Sequence, residues 1–436
     1  MRPDTSSLRG RLGPLFVFSA GAFLALSLLK FGNPVILDYK LSPPANFWEY
    51  LIWAWPVAWG YAGLAVPVVL SVCFVRWPGA RPHWIVWLPL AWLLWQSLSA
   101  TQTVRWALTE VTLKHFAVAV VCFYLGLLAL GRQRDLSPMW LALLAGFIGV
   151  VAVGFDQHFG GLEATRKFIY AQPDWQNQPP EFLKKIASNR IYATLFYPNA
   201  LAGAVLLFLP PLLAFALTMT AKRTLRWGLA VTVGLGGLGC LYWSGSKAGW
   251  LIALGVGLLA WLQVNLGRRL KWLVVAGVLV TGLAGFFLKH AAYFEKGATS
   301  VGARFDCWRA ALQITAARPG LGSGPGTFSV LYRQLRPPEA EPARLTHNDY
   351  LQQACDSGVA GCALYAVFML GSLACLYRRP IGGADWVRFA VWLGLAAWGM
   401  QGFVEFGLYI PALAWPAFLF LGWLWALRSA PMENPV

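Results

Sequence analysis

Charge is what this chain mostly lacks. Charged residues make up 12% of its 436 positions, against about 25% in a typical soluble chain. Hydrophobic residues make up 58%, which excludes an ordinary soluble globule. Short alternating strands, which a transmembrane barrel needs, are absent. So are a DxD pair of carboxylates, a CxxC or CxxxH spacing for a metal, a Walker A loop and a dinucleotide fingerprint. Internal repeats and low-complexity tracts are missing too.

Apolar runs of about 17–25 residues fill the sequence instead, each long enough to cross about 30 Å of hydrocarbon. A helix satisfies its own backbone hydrogen bonds in lipid. The expectation is therefore an all-α, polytopic transmembrane helical bundle, a single integral membrane domain over residues 1–436. About twelve spans are read, near 12–30, 51–75, 84–100, 111–130, 138–155, 200–220, 227–243, 247–264, 272–289, 357–377, 387–404 and 411–427. The first lacks a convincing small-x-small cleavage site and is long enough to span, so it reads as an anchor.

Basic residues sit in the short connections: Arg2, Arg9 and Arg11; Arg76 and Arg81; Arg132 and Arg134; Lys222, Arg223 and Arg226; Arg268, Arg269 and Lys271; Arg378, Arg379 and Arg388. With twelve spans they all fall on one side, which the positive-inside rule makes cytoplasmic together with both termini. The net charge of +17 then needs no nucleic acid to explain it. Two connections are too long for turns: a first outer loop over about 156–199, and a large outer loop over about 290–356 between spans nine and ten. Cys73, Cys122, Cys240, Cys362 and Cys375 lie in or beside spans as small packing residues. Cys307 and Cys355 lie in or near the large loop, where a disulfide is open to them.

Ionisable residues are almost missing from the span interiors, and Glu405 sits near the outer end of the eleventh. Ion-coupled transporters keep carboxylates or histidines near mid-membrane, so polar groups gathered at the outer ends argue against one. Three stretches gather them. In "RLTHNDYLQQACDSGVAG", 344–361, Thr346 followed by Asp349 fits a capping pattern. That pattern places His347 and Asn348 in the first turn of a helix entering span ten. Gly358 and Gly361 then share a face that lets a neighbouring helix come close. In "WSGSKAGW", 243–250, Ser244 or Ser246 caps span eight with Lys247 in its first turn, against the helix dipole. In "NRIYATLFYPNALAG", 189–203, Pro198 and Asn199 open span six, with Arg190 upstream. Helix starts of this kind attract anions. Taken singly, Lys247 also reads as a snorkelling side chain and Arg190 as a solvated loop charge.

The large loop carries "VGARFDCWRAALQITAARPGLGSGPGTF", 301–328, which predicts a helix over about 303–317. Arg304 starts it, Arg318-Pro319 ends it, and Phe305, Trp308, Leu312 and Ala316 form its apolar stripe. The glycines at 320, 322, 324 and 326 let the chain fold back. Glu339-Ala-Glu341 reads as a solvated patch.

"HN", nine residues, then "GVAG" resembles the signature of the O-antigen ligase family, which also takes in O-antigen polymerases and protein-targeting oligosaccharyltransferases. "SGSKAGW" is similar to that family's serine–arginine segment opening a span. "RFDCWRAALQITAARPGLGSGPGTF" is similar to its arginine–tryptophan helix and Pro-Gly turn. "RIYATLFYPNALAG" and "FVEFGLYIPA" resemble two further segments, and the order holds from about 190 to 415, while the first 150 residues match only in hydropathy. The resemblance implies a twelve-span inner-membrane glycosyltransferase with no metal or other cofactor. Its donor is an undecaprenyl-diphosphate-linked glycan, and its acceptor a lipid, glycan or protein at the periplasmic face. It implies His347 as the catalytic histidine and Arg304 as the loop arginine, with Lys247 in the place of a second arginine. Those two and Arg190 are the expected diphosphate-binding cations. Lysine there keeps the charge without arginine's two-pronged contact, and Asp356 stands where relatives often have glutamate. Asn348, Tyr350 and Arg318 are expected to position substrate, Tyr350 reading equally as an interfacial anchor. An imidazole could take the acceptor hydroxyl's proton, and attack opposite the diphosphate would invert the anomeric centre. The alternative reading is a transporter for a small anion or a lipid-linked sugar.

Overall fold

The computed structural model describes residues 5–77, 84–177, 183, 186–295, 299–338, 340–380 and 383–429. Arg2, Arg81 and Glu339 lie outside the described residues. Within them the chain is an all-α polytopic bundle of sixteen α-helices, with no strand among the described residues. The first half holds α1 (Thr5–Lys30), α2 (Phe47–Ile52), α3 (Val57–Ser71), α4 (Leu88–Ser99), α5 (Trp106–Leu128), α6 (Ser137–Asp156) and α7 (Leu162–Tyr170). Then come α8 (Pro198–Thr218), α9 (Arg223–Ser244), α10 (Lys247–Gln263), α11 (Arg268–Glu295), α12 (Thr299–Ala317) and α13 (Phe328–Leu335). The last three are α14 (Asp349–Leu376), α15 (Gly383–Gln401) and α16 (Pro411–Ser429).

Each of the twelve expected spans falls on one of these helices. Seven segments are long and apolar enough to cross a membrane by length and composition: Gly10–Lys30, Trp106–Arg132, Ser137–Tyr170, Pro198–Thr218, Arg223–Ser244, Arg268–Leu288 and Asp349–Leu376. Val57–Ser71 and Lys247–Gln263 are apolar but shorter. The second expected span begins at Val57 rather than about residue 51 because α2 ends first. The Lys30 ammonium donates to the carbonyls of Tyr50, Leu51 and Trp53 at 2.9, 2.6 and 3.2 Å, capping α2 before Pro56 turns the chain.

The core is built around α16, whose residues from Ala412 to Ala426 are almost all buried. It crosses α5 so closely that a Cβ on Gly126 would strike the backbone of Leu419, and one on Gly422 that of Phe123. Small residues at such a crossing are the usual basis of helix association in lipid. His115, fully buried on α5, accepts at Nδ1 from the Trp415 indole at 3.0 Å and therefore donates from Nε2 to the carbonyl of Leu408 at 2.8 Å. That bond ties the segment between α15 and α16 to the core.

The described parts of both long connections return to the bundle. Gln157 accepts at Oε1 from the backbone N–H groups of Tyr192 and Ala193 at 3.0 and 2.8 Å, returning the first loop to the bundle. In the second, α12 and α13 pack on α14. Helix α12 ends at Ala317, just before the Arg318-Pro319 pair, as expected. Its expected apolar stripe is wrong: Phe305 and Leu312 are 55% and 56% exposed, and the buried face is Cys307, Ala310, Ala311 and Ile314. That face keeps the i, i+3, i+4, i+7 spacing but uses small residues, because α14 comes close. Cys307 and Cys355 lie in the same small cluster with both thiols free.

Gly358 does not serve the helix–helix approach expected of it. Helix α14 breaks at Ser357–Gly358, with Gly358 at φ +74°, and the glycine turn of 320–326 docks into the break. Ser323 and Gly324 donate their N–H groups to the carbonyls of Cys355 and Asp356 at 2.9 and 2.8 Å. The Asp356 carboxylate accepts from the N–H of Gly326 at 2.7 Å, the Tyr409 hydroxyl at 2.8 Å and the Gln352 amide at 3.0 Å. A Cβ at 358 would overlap the carbonyl of Gly320. Gly358→Ala is therefore expected to cost more than the roughly 1–2 kcal/mol of a left-handed alanine. It should appear as a clear drop in the thermal midpoint of the detergent-purified protein; an unchanged midpoint would contradict this account of the break.

Candidate active site

Three helix starts converge on one cavity of about 440 Å³. The first is that of α8, where Pro198 occupies the position that needs no N–H donor and Asn199 follows it. The second is that of α10. Helix α9 stops at Ser244, Gly245 turns left-handed at φ +61°, and the Ser246 hydroxyl accepts from the N–H of Gly249 at 3.3 Å, with Lys247 next in line. The third is that of α14. Asn199, Lys247, Arg190, Arg304 and His347 all line the cavity.

The capping expectation for α14 is corrected by two residues. Asn348, not Thr346, is the cap, its side chain accepting from the N–H of Leu351 at 3.0 Å. His347 therefore precedes the helix, in left-handed backbone at φ +53°. Histidine tolerates that region better than most residues, and such strain gathers at functional sites. It turns the imidazole away from the helix and toward the segment between α15 and α16, against the Phe406 ring at 4.9 Å.

Glu405, on that segment, binds the polar groups together. It is 6% exposed. Its Oε1 accepts a short bond from the Arg304 guanidinium and another from the Asn199 amide at 2.5 Å, while Oε2 faces His347 Nδ1 at 3.2 Å. A carboxylate accepts only, so Nδ1 carries the hydrogen and Nε2 is left for other work. Asn199 Oδ1 accepts from Arg190 at 2.7 Å, which links the second arginine to the same carboxylate. Arg190 Nε also donates to the carbonyl of Ser244 at 2.6 Å, at the negative end of α9. A Cβ on Gly245 would crowd that guanidinium. Burial lowers the Arg190 pKa from its ordinary value, and Glu405 offsets part of this. Burial by itself would raise the Glu405 pKa, but His347 and Arg304 outweigh it and hold the carboxylate below its usual range.

The Glu405 segment is held from both sides. Asp349 donates its N–H to the carbonyl of Gly402 at 2.7 Å and accepts from the N–H of Leu408 at 3.1 Å. The Tyr350 hydroxyl donates to the carbonyl of Gly399 at 3.1 Å, and its ring stacks on Phe403 at 4.3 Å.

The structure thus brings together His347, Arg304, Lys247 and Arg190. Three other expected residues stand apart. Asn348 spends its side chain on the helix cap, Tyr350 is buried against α15, and Arg318 is exposed beyond the end of α12, outside the cavity lining. Sequence reasoning missed Glu405 and Asn199 as members of the site. The signal was slight: Glu405 is one of 18 Asp and Glu residues in the chain, and Asn199 follows the proline that opens α8.

An apolar groove of about 590 Å³ runs between α9, α10 and α11, with Leu238, Trp250, Trp261 and Val278 among its walls. It shares Leu251 and Phe286 with the cationic cavity, so the two adjoin. Among the described residues, no group of three or more His, Cys, Asp or Glu is arranged to hold a metal ion.

Residues 229–366, about a third of the chain, match the family model described as O-antigen ligase. The match bears out the resemblance read from the sequence and supports a glycosyltransferase-like membrane enzyme, with a lipid-linked glycan and an acceptor as partners in general terms. It contains Lys247, Arg304 and His347; Arg190, Asn199 and Glu405 come from outside it. No curated protein matches the chain.

Proposed function

We propose, from the O-antigen ligase domain this chain carries, that it is a metal-independent, inverting glycosyltransferase of the inner membrane. It moves a glycan from an undecaprenyl-diphosphate carrier to a lipid, glycan or protein acceptor at the periplasmic face. One observation carries the reading: two arginines and an imidazole, tied together by Glu405 and Asn199, face with Lys247 a single cavity that adjoins an apolar groove. The groove suits a polyprenyl tail and the cations suit the diphosphate.

In this reading the acceptor oxygen attacks the anomeric carbon while the bond to the diphosphate oxygen breaks. Negative charge develops on the leaving group, where Arg190, Arg304, Lys247 and the helix starts neutralise it without reorganising. The acceptor's proton passes to His347 Nε2. Glu405 keeps the imidazole in the tautomer that makes this transfer open to it, as a carboxylate behind a histidine does elsewhere. The periplasmic assignment is supported by Arg378, Arg379, Arg388 and Arg428, which line a separate cavity where α14 ends and α15 begins, at the other end of α14 from His347.

The test is reconstitution of the purified chain with an undecaprenyl-diphosphate-linked glycan and a candidate acceptor, in the presence of a chelator. Transfer accompanied by equimolar release of undecaprenyl diphosphate is expected. Absence of release with every acceptor class, together with solute uptake in proteoliposomes, would overturn the reading in favour of a transporter.

A further inference from the structure

A second cationic region lies next to the site, in two cavities the reaction above leaves unused. One, of about 460 Å³, is bounded by the turn Val35–Lys40, the start of α5 and α13, and carries Arg105, Arg333 and Arg344 with Tyr39. The other, of about 260 Å³, shares Ser329, Arg333 and Arg344 with it and adds Arg336. This smaller cavity also shares Pro342 and Ala343 with the cavity that holds His347. Four guanidiniums therefore line two cavities beside the site, which meet it at residues other than those it shares with the apolar groove.

Arg105, Arg333 and Arg344 are exposed, and none of the four arginines takes part in an ion pair among the described residues. Among the described residues Arg336 donates to the backbone carbonyl of Ala340, at 2.8 Å. Among the described residues no carboxylate lines either cavity, and Glu341 lines the adjoining site cavity. Like charges gathered this way repel one another and raise the local concentration of anions. The planar guanidinium fork matches phosphate oxygens in pairs. The Tyr39 ring, 69% exposed at the same cavity, offers an apolar face on which a sugar ring could lie.

We propose that this arginine path is the acceptor's binding site, and that the acceptor is a phosphate-bearing saccharide. Its phosphate groups lie along Arg344, Arg333, Arg336 and Arg105, and its reacting hydroxyl reaches His347. The inference rests on the transfer reaction proposed above and names the acceptor class for it. Anionic phospholipid headgroups present the same phosphate chemistry, so the experiment must separate the two.

The full chain, in nanodiscs of phosphatidylcholine, is titrated with an oligosaccharide bearing phosphate monoesters and with the same oligosaccharide after phosphatase treatment. The phosphorylated form should bind at least about tenfold more tightly, a preference that weakens with salt. The Arg333→Gln/Arg344→Gln double variant should lose the preference while undecaprenyl diphosphate still binds, which shows that it is folded. Should the double variant not fold, Arg105→Gln, on another helix, carries the same expectation. Equal binding of the two saccharides, or a preference the variants keep, overturns the proposal. So does a variant whose only defect, in parallel nanodiscs that also contain phosphatidylglycerol, is weaker retention of that lipid, which would assign the arginines to lipid. The readout is binding, so a chain that shows the phosphate preference but transfers nothing would fail the transferase reading alone.

Discussion

Replacing His347 is expected to lower glycan transfer by about 10²–10⁴-fold, the range of a positioned general base, while undecaprenyl diphosphate binds within a few fold of the parent. The split follows from the geometry. The cations that would hold the diphosphate are anchored elsewhere: Arg190 on Ser244 and Asn199, Arg304 on Val404 and Glu405. None of those bonds runs through the imidazole. His347 sits in left-handed backbone, so His347→Ala alone would mix a backbone penalty with a chemical one. His347→Asn separates them, because asparagine tolerates that conformation but offers no base. Both variants should fall together in single-turnover transfer. Should His347→Asn retain transfer within a few fold, the proton would be leaving by another route and the role given to Nε2 would be wrong. A loss of donor affinity as large as the loss of rate would instead place His347 among the diphosphate ligands.

Much of this site could be read from the sequence because its residues stand next to local signals. Lys247 follows a serine cap, Arg190 lies upstream of the proline that opens a helix, and His347 stands at a helix start that the sequence places two residues early. Such signals are encoded within four residues and survive without knowledge of the fold. The all-helical bundle was legible for a similar reason, since an apolar run long enough to cross lipid needs no tertiary context. What failed depended on contacts between distant segments. The buried face of α12 was misread because Phe305 and Leu312 are more apolar than Ala310 and Ala311, yet only the small residues let α14 approach. Gly358 was assigned to helix packing because a glycine pair three residues apart looks the same whether a helix or a turn comes close. Glu405 carries little local signal of its role, because its meaning comes from Arg304, about a hundred residues earlier, and from Asn199, about two hundred. Tyr350 and Asn348 looked free to meet substrate until their hydrogen bonds were accounted for.

Glu405→Gln should damage both stability and transfer, and by different routes. The carboxylate is buried and compensates Arg304 directly and Arg190 through Asn199. Removing one partner of a buried ion pair typically costs about 3–5 kcal/mol, because the remaining charge is left uncompensated. The thermal midpoint should therefore fall by several degrees, and bound undecaprenyl diphosphate should restore part of the loss by supplying the missing negative charge. Transfer should fall by on the order of a hundredfold, as when a carboxylate partner of a functional histidine is lost. Glu405→Asp keeps the charge but shortens the reach, so it should recover more of the stability than of the rate. The pH dependence has a definite sign. Since the folded-state pKa of Glu405 is depressed, its contribution is complete above the ordinary glutamate range and is lost as pH falls through the lower, folded value. The parent protein should lose this part of its stability only in acid, and Glu405→Gln should lack that acid-dependent component from the start. A Gln variant as stable as the parent at neutral pH, and equally sensitive to acid, would mean that Glu405 does not hold the cations of the site in place.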